Sequence, residues 1–110
     1  MSAFKMISPD QIDHMLATGG TIIDVRTQAE HTDKCLEKAH LHIPMDQINA
    51  EVLRAKHGLG FNSTLYILCL GGKRAAVVAQ QLASEGFTDV HVIDGGIMGC
   101  EKCGASIVKG

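Results

Sequence analysis

One apolar stretch of the chain, followed by two glycines and a helical pattern, limits the fold more than any other feature. Residues 65–70 read Leu-Tyr-Ile-Leu-Cys-Leu without a polar interruption, and Gly71 and Gly72 follow at once. A short apolar run bounded by turn residues is typical of a strand buried on both faces of a parallel sheet. Apolar residues then recur at helical spacing over residues 73–85, and Gly86 is placed to end that helix. A strand that passes through a tight turn into a helix predicts an α/β fold.

The rest of the chain repeats this alternation of strands and helices. Further strands are predicted over residues 21–25, 39–43 and 90–93. Further helices are predicted near residue 9, after residue 27, over residues 45–56 and after Gly95-Gly96, whereas the polar residues 32–38 are predicted to form a loop. We therefore expect a mostly parallel, five-stranded sheet flanked by helices on both faces. In such sheets, ligands bind beyond the carboxyl ends of the strands.

Length and composition favour one domain and exclude several classes of protein. The chain has 110 residues, 45% hydrophobic and 20% charged, so we expect a single domain over residues 1–110 and exclude disorder. The formal net charge of -2 and the aromatic share of 4% argue against a nucleic-acid-binding protein. No apolar run approaches the ~18 residues of a membrane span, and residues 1–10 do not resemble a signal peptide. We therefore expect a cytoplasmic protein that contacts neither nucleic acid nor membrane.

The residues after the buried strand form a candidate site around Cys69. Gly71 and Gly72 allow the backbone to curl so that successive amides point inward, and the start of the next helix adds further free N–H groups. Lys73 and Arg74 bring two positive charges to the same turn. A thiol inside such a cradle is expected to react as a thiolate. From the residues alone, a reactive cysteine and an ordinary buried cysteine are about equally favoured.

Four segments, in order along the chain, resemble the rhodanese family of thiosulfate sulfurtransferase-like domains. They are the element Ile23-Asp24-Val25-Arg26 followed by Glu30, the segment Ala39-His40-Leu41-His42-Ile43-Pro44, the loop Cys69-x-x-Gly72-x-Arg74, and the turn Val92-Ile93-Asp94-Gly95-Gly96. The resemblance covers about residues 8–108, which is almost the whole chain. It implies the same α/β fold that the alternation of elements predicts.

The resemblance implies a sulfurtransferase in which Cys69 attacks the outer sulfur of a donor and becomes a persulfide. A thiophilic acceptor, such as cyanide, a thiol or a sulfur-relay protein, then removes that sulfur, and no cofactor takes part. The residues implied to bind an anionic donor such as thiosulfate, or to stabilise the persulfide through their amides, are Leu70, Gly71, Gly72, Lys73 and Arg74. The loop from Cys69 to Arg74 has six residues, whereas related phosphatases and arsenate reductases have one more, which favours sulfur over phosphate transfer.

Departures from the family pattern leave alternatives open. Leu70 stands where thiosulfate-specific members often have Arg, so one cationic contact to thiosulfate is missing. This departure predicts either that thiosulfate is a poor donor or that the chain is a non-catalytic module that carries sulfur or docks a partner. Cys100 replaces the usual Trp, and Cys103 lies three residues on, on the same helical face. This pair is interpreted as two small structural residues, as a redox couple for disulfide or persulfide reduction, or as half of a zinc site.

The remaining cysteine and the histidines predict no further chemistry. Cys35, where the family often has His, is interpreted as a solvent-exposed thiol. The six histidines form no recognisable metal-ligand pattern, so no metal site is predicted, and His40 and His42 are interpreted as surface or strand-edge residues. No histidine or acidic residue is assigned as a general base, because a thiol already ionised by its surroundings needs none.

Overall fold

In the computed structural model, which describes residues 3–110, five parallel strands form one sheet with helices on both faces. Met1 and Ser2, part of the N-terminal segment interpreted above, lie outside the described residues. The strands are β1 (Lys5–Ile7), β2 (Thr21–Asp24), β3 (Lys34–Leu36), β4 (Leu41–His42), β5 (Thr64–Leu68), β6 (Asp89–Ile93) and β7 (Ile107–Lys109). The helices are α1 (Ile12–Ala17), α2 (Gln28–Asp33), α3 (Ala50–His57), α4 (Lys73–Ser84) and α5 (Gly96–Lys102), with a 3-10 turn (Pro9–Gln11) before α1. Within the described residues, none of the helices has the length and apolarity to cross a membrane.

The order of the strands places the long apolar strand at the centre of the sheet. The order is β1-β6-β5-β2-β4, and each neighbouring pair is parallel. Because β5 lies between β6 and β2, its side chains are buried on both faces, as the uninterrupted apolar run predicts. β4 is the edge strand expected before Pro44, although it has only two residues. The predicted parallel α/β fold is therefore confirmed.

Alternate side chains of β5 enter two separate apolar cores. Leu65 and Ile67 pack with residues of α3 and α4 on one face of the sheet. The residues that alternate with them pack with residues of α1 and α5 on the other face. Cys69 belongs to the first core and Cys100 to the second, so the two cysteines lie on opposite faces of the sheet.

Two segments differ from their prediction. Residues 32–38, predicted as a loop, contain the end of α2 and the strand β3, which pairs antiparallel with β7. Strands of three residues, including β1 and β7, carry too little alternation to be visible in a sequence. The helix predicted from residue 45 begins instead at Ala50, because the side chain of Asn49 caps it by accepting a hydrogen bond from the Val52 amide at 2.9 Å.

The parallel arrangement brings three strand ends to one edge of the sheet. Arg26 follows the end of β2, Cys69 follows β5, and the Gly95-Gly96 turn follows β6. Since β2, β5 and β6 are neighbours, the segments that leave them lie side by side. This edge is where an open parallel sheet presents its ligand site.

Candidate active site

Cys69 is the first residue after β5, and two backbone amides donate hydrogen bonds to its sulfur. The Sγ atom lies 3.0 Å from the amide nitrogen of Gly72 and 3.3 Å from that of Ala75. Of the amides predicted over residues 70–74, that of Gly72 therefore reaches the sulfur, and the second donor lies one residue beyond the predicted set. Donors directed at a buried sulfur stabilise negative charge on it, whether of a thiolate or of a persulfide.

Gly72 gives the loop its shape. Its φ of 110° lies in the left-handed region that favours glycine, because other residues are strained there by their Cβ atom. Gly72 is also the N-cap of α4, so the N-terminal end of that helix, with its positive dipole end, lies at the Cys69 sulfur and supplies the Ala75 amide. The strand-to-helix turn thus concentrates unpaired donors at one atom.

Two backbone hydrogen bonds from the start of α5 fix the loop that begins at Cys69. The Ile97 amide donates to the carbonyl oxygen of Cys69 at 2.8 Å, and the Met98 amide donates to that of Leu70 at 3.2 Å. The strand predicted through residue 70 therefore ends at Leu68, because these two carbonyls bond to a helix rather than to a neighbouring strand. Gly96 allows this approach, since a Cβ atom there would lie 2.4 Å from the Cys69 carbonyl oxygen.

Arg74, predicted to attract an anionic donor, is held by Glu30. Its two terminal nitrogens lie 2.6 and 2.8 Å from the two carboxylate oxygens of Glu30, a bidentate ion pair between α4 and α2. The hydrogen bond from Arg74 lowers the pKa of Glu30 from its ordinary value of 4.5 to about 2, and the same bond raises the pKa of Arg74. The charge of Arg74 is therefore largely neutralised beside the loop. The sequence motif that includes Glu30 did not predict this role.

A buried ion pair positions the helix that carries Glu30. Arg26 is 1% exposed, and its Nη2 atom lies 2.7 Å from an oxygen of the fully buried Asp24. The same guanidinium donates to the carbonyl oxygens of Glu30 at 3.4 Å and Lys34 at 2.7 Å, at the C-terminal end of α2. A cation there satisfies the last carbonyls of the helix and complements its dipole. The Asp-x-Arg element of the sequence thus acts by holding α2 in place.

The remaining loop residues form the rim of a shallow pocket. A pocket of about 240 Å³ is lined by Cys69, Leu70, Gly71, Lys73 and Arg74. Leu70 is 39% exposed, so it presents an apolar surface at the mouth. Within residues 3–110, the exposed Lys73 has no acidic partner at ion-pair distance. Lys73 is therefore the loop cation that is free to meet an anion.

Cys100 and Cys103 have very different surroundings. Cys100 is fully buried in the core of α1 and α5, and burial raises the pKa of its thiol to about 11. Cys103 is exposed at the end of α5, and both are free thiols. A thiol held in its protonated form, on the opposite face of the sheet from Cys69, is a poor nucleophile toward a persulfide there. The surroundings favour the structural interpretation of Cys100 over the redox interpretation.

Several side chains for which the sequence predicted no common site lie close together in the structure. His31 Nε2 lies 2.9 Å from His40 Nε2, and the ring of His31 stacks on that of His42 with centroids 4.2 Å apart. Desolvation lowers the pKa of His31. Cys35 is half-buried beside this group rather than solvent-exposed. The spacing His31-x3-Cys35-x4-His40 is visible in the sequence. The loop predicted over residues 32–38 gave no reason to expect these three side chains to meet.

Comparisons of the sequence with known proteins agree on one family. The family model described as "Rhodanese-like domain" matches residues 8–103. A protein named thiosulfate sulfurtransferase GlpE, from Pseudomonas fluorescens (strain SBW25), is 30% identical over 97 residues. These residues make up 87% of this chain and 84% of that protein. The similarity therefore extends over most of both chains.

Solved structures agree with this assignment. A rhodanese-like domain protein from Staphylococcus aureus matches with a TM-score of 0.70 and 28% identity, covering 88% of this chain and 91% of that chain. The structure titled reduced Bacillus anthracis CoADR-RHD matches with a TM-score of 0.74 and 26% identity over 92% of this chain. This chain spans 17% of the length of that protein's chain.

Proposed function

The chain belongs to the rhodanese-like domain family, and on that premise we propose that it is a sulfurtransferase that carries sulfane sulfur as a persulfide on Cys69. The observation that carries the proposal is the pair of hydrogen bonds from the Gly72 and Ala75 amides to the Cys69 sulfur. Amide donors already directed at a reacting atom stabilise its charge without reorganising during the reaction. The similarity to a protein named as a thiosulfate sulfurtransferase supports the same chemistry.

In the first step, the Cys69 thiolate attacks the outer sulfur of the donor. A bond forms between the two sulfur atoms while the donor's own sulfur–sulfur bond breaks, and the electron pair of that bond leaves with the donor. The leaving group is sulfite when the donor is thiosulfate and a thiolate when the donor is a persulfide. Lys73, exposed at the mouth of the pocket, attracts the anionic donor.

In the second step, cyanide or an acceptor thiolate attacks the outer sulfur of the Cys69 persulfide. The bond between the two sulfurs breaks, and its electron pair returns to Cys69, whose thiolate again accepts from the Gly72 and Ala75 amides. The acceptor leaves as thiocyanate or as a new persulfide. The donor supplies the sulfur atom, the acceptor takes it, and the Cys69 thiolate is restored. All atoms and electrons are therefore accounted for, and the cycle needs no cofactor.

Intact-protein mass spectrometry tests the proposal. After incubation with thiosulfate or a thiol persulfide, the wild-type protein is expected to gain the mass of one sulfur atom, and cyanide is expected to remove it. Cys69→Ala is expected to gain none. Cys103→Ala is the matched control, because it removes an exposed thiol outside the loop and is expected to load like the wild type. A wild-type protein that stays unmodified with every donor would contradict the proposal.

Two features of the loop favour a second candidate, a module that carries sulfur or docks a partner without sustained turnover. Leu70 places an apolar side chain at the mouth of the pocket, and Arg74 is neutralised by Glu30. Both features weaken the attraction for a doubly charged donor. Steady-state assays with cyanide or a thiol separate the two candidates, since a carrier loads sulfur once but shows little turnover afterwards.

A further inference from the structure

Three metal-ligating side chains meet outside the persulfide site, at the junction of α2, β3 and the chain that enters β4. They are His31, Cys35 and His40, whose ligand atoms all lie within 4.8 Å of one another. We propose that this cluster binds a divalent transition-metal ion of the zinc type and leaves a fourth coordination position open. Two imidazole nitrogens and one thiolate sulfur are a donor set that suits Zn²⁺, and three protein ligands leave room for a water molecule or an external ligand.

The spacing of the two imidazole nitrogens suits a shared ion. His31 Nε2 and His40 Nε2 are 2.9 Å apart. Two nitrogens bound at ~2.0–2.1 Å to one tetrahedral zinc ion lie about 3.3 Å apart, so the rings need to separate by only about 0.4 Å. The Cys35 sulfur lies within 4.8 Å of one ring nitrogen of each histidine, which places it within reach of the same ion after a small adjustment of the side chains.

Hydrogen bonds around the cluster orient its nitrogens for an ion. His40 Nδ1 lies 2.8 Å from the carbonyl oxygen of Lys38, which can only accept, so Nδ1 carries the proton and Nε2 presents a lone pair. Metal-bound histidines commonly donate their other N–H to such a carbonyl. The His31 ring is held by stacking on His42, whose Nε2 donates to the carbonyl oxygen of Arg26 at 2.8 Å. Both ligand rings are therefore oriented by protein contacts.

Binding of the ion rearranges two protons. In the ion-free protein, His31 Nε2 donates its proton to the lone pair of His40 Nε2. When both nitrogens face the ion, His31 carries its proton on Nδ1 instead, and Cys35 gives up its thiol proton to solvent. One proton is released for each ion bound, and no electron is transferred.

The position of the cluster gives the ion a structural consequence. Helix α2 has six residues and none of them is buried, so its packing supplies little anchoring. The ion would tie α2 to β3 and to the edge of the main sheet. Because α2 carries Glu30, which holds Arg74, the ion would also steady the persulfide loop. The proposal does not depend on sulfur transfer, since metal binding has its own readout.

Cobalt(II) absorption tests the site in the 110-residue chain. Co²⁺ reports zinc-type sites because a bound thiolate gives a charge-transfer band in the near ultraviolet. We expect the wild-type protein to bind one Co²⁺ with this band and Zn²⁺ to displace it. Cys35→Ser is expected to lose the band, and His31→Gln and His40→Gln are each expected to raise the dissociation constant at least about tenfold.

Control variants separate this cluster from the other thiols and histidines. Cys103→Ser, Cys69→Ala and His57→Gln change side chains elsewhere and are expected to keep both the band and the affinity. No charge-transfer band in the wild type, or an unchanged band in Cys35→Ser, overturns the proposal. As a readout independent of the cysteine variant, Zn²⁺ is expected to raise the thermal midpoint of the wild type but not that of His40→Gln, and an equal rise in both also overturns it.

Discussion

The two fully buried cysteines of the chain show that burial alone does not decide how a thiol behaves. Cys69 is 1% exposed and Cys100 is 0% exposed. The amides of Gly72 and Ala75 donate to the Cys69 sulfur, whereas Cys100 lies among apolar side chains and burial raises its pKa to about 11. The difference lies in the backbone. Cys69 precedes the first turn of a helix, where amides are free, whereas Cys100 lies inside a helix, where the amides are already paired.

Exchanging each cysteine for alanine gives the largest expected difference. Cys69→Ala is expected to slow sulfur loading by at least about a thousandfold, because the proposed nucleophile is gone. Cys100→Ala is expected to change loading by less than about threefold, since the side chain faces the other core, but to lower the free energy of unfolding by about 1 kcal/mol through the small cavity it leaves. Time-resolved mass spectrometry and urea unfolding measure the two effects. A comparable loss of loading in both variants would break the comparison.

The contact of α5 with the loop predicts the next largest effect. Gly96→Ala is expected to lower the free energy of unfolding by roughly 2–4 kcal/mol and to reduce loading, because its Cβ atom must displace the Cys69 carbonyl. Gly104→Ala is the matched control. Gly104 has a similarly positive φ of 85° but open space around it, so only the backbone strain of about 1–2 kcal/mol is expected, with normal loading. Equal effects of the two variants on loading would show that α5 does not hold the loop.

Local patterns predicted the strand-to-helix unit well, because its signals lie next to one another in the chain. The apolar run of β5, the glycines of the turn and the helical spacing of α4 all agree. The helix predicted after residue 27 is α2, and in the structure Thr27 caps it through a capping box with Glu30. These features depend on residues a few positions apart, so they can be predicted from the sequence.

Contacts between distant segments could not be predicted in this way. The ion pair of Arg74 joins residues 44 positions apart, and no residue pattern reveals that Arg74 is neutralised rather than free. The pairing of β7 with β3, the strand that contains Cys35, joins two three-residue strands from distant parts of the chain. The segment predicted as a loop therefore contains a strand and a metal-ligating side chain whose position the sequence did not predict. Only the packed structure brings these residues together.

The ion pair beside Cys69 predicts a pH-dependent effect of intermediate size. Because Arg74 lowers the pKa of Glu30 from 4.5 to about 2, the pair stabilises the fold fully above pH 4.5 and its contribution is lost as the pH falls through about 2. Glu30→Gln is expected to lower the free energy of unfolding by about 1 kcal/mol at pH 7, a modest value because both partners are partly exposed. The difference from the wild type is expected to narrow toward pH 2. Urea unfolding with a chelator present, so that no ion contributes, measures it.

Glu101→Gln supplies the matched control on the helix that carries Cys100. Glu101 pairs with Lys34, and the hydrogen bond from that lysine lowers its pKa, but the contact is single rather than bidentate. We expect a smaller loss of stability than in Glu30→Gln and no change in sulfur loading. If Glu101→Gln lowers the free energy of unfolding as much as Glu30→Gln does, the bidentate geometry adds nothing to the stability that the pair supplies.

The smallest expected effect concerns the electrostatic attraction of the donor to the Cys69 pocket. Lys73→Gln removes the free cation at the mouth of the Cys69 pocket and is expected to slow loading from thiosulfate about threefold at low salt. The difference is expected to vanish near about 0.5 M salt, because exposed charges are then screened. Lys102→Gln removes the same charge from the exposed surface of α5 and is expected to leave the rate unchanged. If both variants slow loading equally, the donor responds to net charge rather than to the loop. If neither variant slows loading, Lys73 loses its proposed role in attracting the donor.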